Sequence, residues 1–179
     1  MFGLAIRKRI DEEKLANIFV NSLLEAVENG FVDIAEMIND DSAFEVSPQV
    51  DKQAYDQFLL IIITGNLSFL KQSNEIDQNE SLESKIIEKY AQLFNIDKPV
   101  FENLIEKMQS FVSQVNFPSK NYLYGLSKAV FFKYNLNQYQ ESYFRTMNSP
   151  NPLFLKRMDE LISLFMWDWD TFFKKHKIQ

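Results

Sequence analysis

The side chains that usually make an active site legible are nearly absent from this chain. It has no cysteine and a single histidine, His176. Nucleophilic relays of the Ser–His–Asp or Cys–His kind need a histidine held at their centre, and one so near the end of the chain is a poor candidate. A zinc site built from cysteine and histidine is excluded, as is the Glu-x-x-His pair of carboxylate di-iron bundles. What remains is carboxylate chemistry. Glu25 and Glu28 stand three apart, and Asp33, Glu36 and Asp40 follow at spacings of three and four. Each set lines one face of a helix. Magnesium takes oxygen ligands, so two such faces meeting could hold it, with Glu25, Glu28, Asp33 and Glu36 as ligands.

All-α nucleotide pyrophosphohydrolases use Glu-x-x-Glu followed later by Glu-x-x-Asp. Glu25-x-x-Glu28 fits the first half. Asp33-x-x-Glu36 comes too soon and in reverse order, so no family match results and the hydrolase stands as an alternative only. A solvated helix face explains the acids more simply. The run from Asp77 to Glu88 echoes a calcium loop, but Leu82 stands where glycine is needed and Lys85 stands at a ligand position. Asp77-x-x-Glu80 reads better as a helix start.

Two further positions could serve binding. Asn66 sits on an apolar helical stripe with Ile62 and Phe69, beside Gly65. A buried amide needs partners. It either faces a ligand pocket or is a satisfied core amide with Gly65 allowing close packing, and the second is the plainer reading. Trp167 and Trp169 flank Asp168. On a continuous helix Trp169 faces inward with Phe165 and Phe172, while Trp167 points away beside Leu164. Either this helix is deeply buried on both sides, which is the plainer reading, or Leu164 and Trp167 form a candidate interaction surface, with Asp33 and Glu36 as a second, acidic one. The same geometry sends Asp168 and Asp170 to different sides.

These positions have to be carried by helices. Glycine and proline number only 4 and 5, while Phe, Tyr and Trp number 17, 7 and 2. An all-β fold of 179 residues would need many more turn residues. Apolar periodicity predicts a first helix from Asp11 to Asn29, stopped by Gly30, and a second carrying Phe31, Ile34, Ala35 and Ile38. A third runs from Asp51 to Gln72, apolar almost all round and hence central. A fourth spans Asn79 to Phe94. The fifth follows Asp97, with Phe101, Leu104, Ile105, Met108, Phe111, Val112 and Val115 inward. A sixth begins at Pro118, and a short seventh at Asn137-x-x-Gln140. The eighth starts at Asn151-Pro152 and reaches Lys175. No strand is expected. The reading is all-α: residues 1–10 as a basic leader and residues 11–179 as one bundle of seven to eight helices. Asn95 to Phe101 resembles Asn148 to Phe154 at a fixed offset. A true repeat would imply two stacked three-helix units after an N-terminal helix pair; a shared proline start is the simpler account.

The functional expectation follows from what is missing. A chain that is 46% hydrophobic and 25% charged is globular rather than disordered. Without cysteine there is no disulfide framework, and Phe58–Ile63 is too short an apolar run to span a bilayer. Residues 11–56 carry twelve acids against two bases, within a net charge of −6, which argues against nucleic acid there. The leader's Phe2, Leu4, Ile6 and Ile10 around Arg7–Arg9 would make only a weak membrane anchor, and a frayed terminus or an extension packing on the domain is the plainer reading. Tyrosines among lysines between Lys120 and Arg145 read as a wet surface rather than a nucleic-acid platform. The expectation is a non-enzymatic cytoplasmic protein, without cofactor, that binds another protein or itself as a homodimer. A small-molecule pocket near Asn66 is a further alternative.

Overall fold

The computed structural model describes residues 7–73 and 76–179. Its longest element is α1 (Glu12–Asp40), one helix of 29 residues. The Asp11 carboxylate caps it by accepting the Lys14 N–H at 3.0 Å. Glu12 and Glu13 fill the first turn, where the helix dipole favours negative charge. The stop expected at Gly30 does not occur. Glycine ends a helix by turning left-handed, and Gly30 has no positive φ. Its bareness serves packing instead: a Cβ there would lie 2.9 Å from the ring of Phe165. The two predicted helices are therefore one, and its buried stripe runs unbroken from Leu15 and Phe19 through Phe31 to Ile38.

Seven more helices follow: α2 (Asp56–Gln72), α3 (Ile76–Leu93), α4 (Lys98–Asn116), α5 (Tyr122–Lys133), α6 (Ser142–Met147), α7 (Pro152–Ser163) and α8 (Trp169–Lys175). The chain is all-α, with eight helices among the described residues. Helices α2 and α3 pack along α1, α4 packs on α3, and α5 lies between α2, α4 and α7. As its composition predicted, α2 is central: ten of its residues are buried, Thr64 and Asn66 among them. The buried side chains form one continuous cluster. No helix among the described residues is long and apolar enough to cross a membrane.

Several boundaries differ from expectation, each for a local reason. The third predicted helix starts at Asp56 rather than Asp51. The Asp51 carboxylate takes the Gln53 N–H and its carbonyl takes the Ala54 N–H, closing a turn first. The sixth starts at Tyr122, capped by Asn121. The seventh divides into a short 3-10 helix, Leu136–Tyr139, and α6. Gln140 does bond to Asn137, but it is fully buried and also ties Ser149 to Asn151. Leu104, placed inward by periodicity, is exposed. The predicted eighth helix ends at Ser163 and resumes only at Trp169.

Strand is also present. β1 (Lys8–Ile10) pairs in parallel with β2 (His176–Ile178), Lys8 opposite His176 and Ile10 opposite Ile178. Part of the predicted leader is thus joined to the domain; Phe2, Leu4 and Ile6 lie outside the described residues, as does the side chain of Asp77.

The resemblance between Asn95–Phe101 and Asn148–Phe154 turns out to be shared turn chemistry. Asn95 and Asn148 both adopt the left-handed conformation, with φ of 54° and 47°. Just beyond each, an N–H reaches back five residues, Ile96 to Ala91 and Ser149 to Phe144. This is the Schellman closure of a helix. Asp97 and Asn151 then begin new helices with proline in the first turn. The flanking helices do not correspond: α3 has 18 residues and α6 has 6. One connection is used twice, without a repeated three-helix unit.

Two interactions set the stability of this frame. The Asp41 side chain is 1% exposed and forms a two-pronged pair with Arg157, Nε to Oδ2 at 2.6 Å. Asp41 Oδ1 also accepts the Ala43 N–H. Removing the guanidinium leaves a buried carboxylate, so Arg157→Ala should lower unfolding free energy by about 3 kcal/mol, measured by urea denaturation at pH 7. In contrast, the Tyr90 hydroxyl is fully buried and has no hydrogen-bond partner among the described residues. Burial pushes its ionisation well above the ordinary phenol value of 10.0. The unfolded chain ionises there and the folded chain does not, so stability should fall as pH rises past about 10. Tyr90→Phe should reduce that alkaline loss and leave stability at pH 7 unchanged or about 1 kcal/mol higher; thermal melts across pH 7 to 11 would read both.

Candidate functional site

The segment between α7 and α8 gathers the features most suggestive of binding. After Ser163 the chain makes a series of tight turns, with Leu164, Phe165 and Met166 N–H groups bonding three residues back. It then leaves helical geometry until Asp168 caps α8 by accepting the Thr171 N–H at 2.9 Å. The turn is held from across the core by Asn66. Its Nδ2 donates to the carbonyls of Ile62 at 3.0 Å and Phe165 at 2.9 Å. Its Oδ1 accepts the Trp167 N–H at 2.8 Å, and its backbone carbonyl accepts the Trp169 indole N–H at 3.0 Å. Asn66 is 0% exposed and both ends of its amide are bonded. It is a satisfied core amide that positions other residues, and it does not itself line the cleft described below. Beside it, a Cβ on Gly65 would lie 2.6 Å from a Leu126 methyl and 3.3 Å from Met166 Sδ. The glycine allows the turn to seat against α2.

Because the helix breaks here, the expected orientation of Trp167 is wrong. Its ring packs edge-on to Phe19 at 5.0 Å and lies 5.3 Å from the ring of Trp169. Phe172 and Phe173 extend the cluster. His176 stacks on Phe172 at 4.4 Å, and its Nδ1 lies 3.2 Å from the Phe172 carbonyl. The one histidine therefore belongs to aromatic packing. Leu164, by contrast, is 77% exposed. The two residues expected to share a surface are separated: one projects into solvent and the other is half-buried.

Trp167 instead walls a cleft of about 450 Å³. Phe69, Leu123 and Met166 supply further apolar lining, Gln72, Ser73 and Ser163 supply polar atoms, and Asp168 and Asp170 stand at the same opening. This size lies within the range of small-molecule sites. Asp168 and Asp170, sent to different sides of a continuous helix by periodicity, both line this cleft, because Asp168 precedes α8 and does not obey its periodicity. The Asp168-x-x-Thr171 cap was the one local signal of that break.

The acidic residues read as a solvated face, with magnesium binding as the alternative, are spread along the outer face of α1. Glu28 accepts the Tyr55 hydroxyl at 3.1 Å, Glu36 pairs with Lys52 at 2.5 Å, and Glu25 and Asp33 are exposed without an ion pair among the described residues. The metal reading required two helix faces to meet. One continuous helix cannot turn its face onto itself. No three Asp, Glu or His side chains among the described residues group so as to hold a metal ion.

A second feature escaped the sequence reading. At the α3–α4 connection Leu93, Phe94, Ile96, Val100 and Leu104 are all exposed. They surround the tight Asn95 turn, and Phe94 leans on Tyr90 and Phe101.

The clamp on the cleft wall is directly testable. Asn66→Ala should strand the Phe165 carbonyl and Trp167 N–H and cost about 3 kcal/mol of stability in urea unfolding. A loss below about 1 kcal/mol would show that water replaces the amide without penalty. No family model matches this chain, nor does any curated protein or solved structure.

Proposed function

We propose that this chain is a non-enzymatic helical protein of the cytoplasm that works by binding another protein or a second copy of itself. The observation carrying this reading is the α3–α4 corner. Leu93, Phe94, Ile96, Val100 and Leu104 are each between 36% and 51% exposed, the first three at the connection and the last two one turn apart on α4. Scattered apolar residues on a surface need no explanation; a group of five around one rigid connection is the pattern of a contact surface. Phe94 is held by stacked rings, so the corner is ordered before any partner arrives. Its charged neighbours are of both signs: Asp97, Glu102 and Glu106 with Lys98 and Lys107. A rim of both signs suits an apolar centre in a protein interface. The absence of cysteine is at home in a reducing compartment.

Two lesser surfaces accompany the corner. Exposed Leu164 remains a candidate contact. The acidic face of α1, with Asp33 and Glu36, would steer a basic partner more than hold it.

The test is a Val100→Glu/Leu104→Glu variant. Both side chains are exposed, so the thermal melt should stay within about 0.5 kcal/mol of the parent per substitution. Sedimentation equilibrium reports self-association, and quantitative capture from the source cells reports a stoichiometric partner. Loss of either association in the variant supports the reading. Unchanged mass and an unchanged partner set would remove the corner from consideration.

A further inference from the structure

The cleft beside Trp167 is separate from the α3–α4 corner. It contains Ser73, which Asn79 near the start of α3 contacts at 3.0 Å, whereas the corner begins at the other end of that helix. At about 1.5 Å per residue, the helix from Asn79 to Leu93 separates them by roughly 21 Å.

The charge of the lining is distinctive. Residues 118–179 carry nine bases and five acids. The cleft takes two of those acids, Asp168 and Asp170, and none of the bases. Lys174 and Lys175 lie near Asp168, but neither lines the cleft. The Asp168 carboxyl is held below its ordinary range, first by the hydrogen bond to Thr171 and then by those lysines, so it is ionised at neutral pH. Asp170 is exposed and makes no hydrogen bond or ion pair among the described residues. Against these carboxylates stand the half-buried rings of Phe69 and Trp167 and the apolar side chains of Leu123 and Met166. An aromatic face attracts cations through its quadrupole. Carboxylates at the mouth add attraction and direction. Two carboxylates and no base in the lining disfavour an anion, and a purely apolar guest would leave Asp170 without a counterpart.

We propose that this cleft is a binding site for a small organic cation, an ammonium or guanidinium group on a short apolar body. The apolar body lies between Phe69, Leu123 and Met166, and the cationic head meets Trp167 and the two carboxylates. Asn66 acts here as a positioning residue, since it fixes the backbone of Trp167 and the indole of Trp169 without touching the guest.

The chain supplies its own reporter. It has 2 tryptophans, and both line this cleft. Tryptophan emission therefore reads the site alone. The experiment is a titration of the full chain with butylguanidinium, in parallel with butylurea, its uncharged counterpart of similar shape. The expected result is a saturable emission change with butylguanidinium that weakens as salt is raised, and a far weaker response to butylurea. An Asp168→Asn/Asp170→Asn variant should raise the dissociation constant about tenfold. Asparagine caps a helix as well as aspartate does, so α8 should persist, checked by circular dichroism. Asp170→Asn alone, at an exposed carboxylate, repeats the test without touching the cap. Equal responses to the charged and uncharged probes, or no saturable change with butylguanidinium, would overturn the proposal. Because the corner variant Val100→Glu/Leu104→Glu should bind the probe normally, failure of one reading leaves the other standing.

Discussion

Asn66 and the turn before α8 each have a physical problem that the other solves. An amide in the middle of a central helix must find partners in an apolar interior. A chain that leaves helical geometry against the core has carbonyl and N–H groups without intrahelical bonds. The Asn66 side chain takes the Phe165 carbonyl and the Trp167 N–H, and its carbonyl takes the Trp169 indole. Much of the molecule follows from that fit. With the turn fixed, Phe165 reaches Gly30 and Trp167 reaches Phe19, both on α1. A side chain at position 30 would collide with Phe165, so the absence of one is what keeps α1 and the turn in contact. The aromatic cluster of α8 is then seated against the N-terminal half of the same helix.

Helix content was legible because it rests on periodicity. The stripe from Leu15 to Ile38, the all-round burial of α2 and the cap-and-proline starts at Asp97 and Asn151 are local statements about local residues. What failed was whatever depended on distant partners. A glycine that stops a helix and a glycine that admits a neighbouring ring look identical in sequence. At position 30 the deciding residue, Phe165, is more than a hundred positions away. Similarly, no glycine or proline marks the break between Ser163 and Trp169, because tertiary hydrogen bonds enforce it. Extending helical periodicity through the break misplaced Trp167 and separated Asp168 from Asp170. The cleft was therefore hidden although Trp167, Asp168, Trp169 and Asp170 stand next to one another in the sequence. The same limitation sent Leu104 inward: α4 has a wider apolar arc than α3 and α5 cover.

Charge is arranged by depth as well as by position along the chain. The one carboxylate taken out of solvent on the C-terminal side of α1, Asp41, receives a guanidinium and a backbone N–H. The others along α1 point outward, where water offsets their mutual repulsion. Glu12 and Glu13 sit near Lys85 and Lys89 of α3, so the first turn of α1 is electrostatically matched while its middle is not. The uneven charge of the sequence thus becomes one acidic stripe on a single helix, and an apolar corner rimmed by both signs elsewhere.

The parallel pairing of Lys8–Ile10 with His176–Ile178 also fixes an order of events in time. A ribosome releases Lys8 long before His176, so this ladder cannot close until the chain between them has been made. Until then Ile10 lacks the strand it will lie against, while α1 to α5 already have each other as neighbours. Completion of the ladder is consequently a late step, and it brings together strands separated by nearly the whole described chain. Closing so long a loop is entropically slow, unless the helices between have already brought the two strands side by side. The bundle therefore serves as the template for its only sheet among the described residues, and the short ribbon acts as a latch made last.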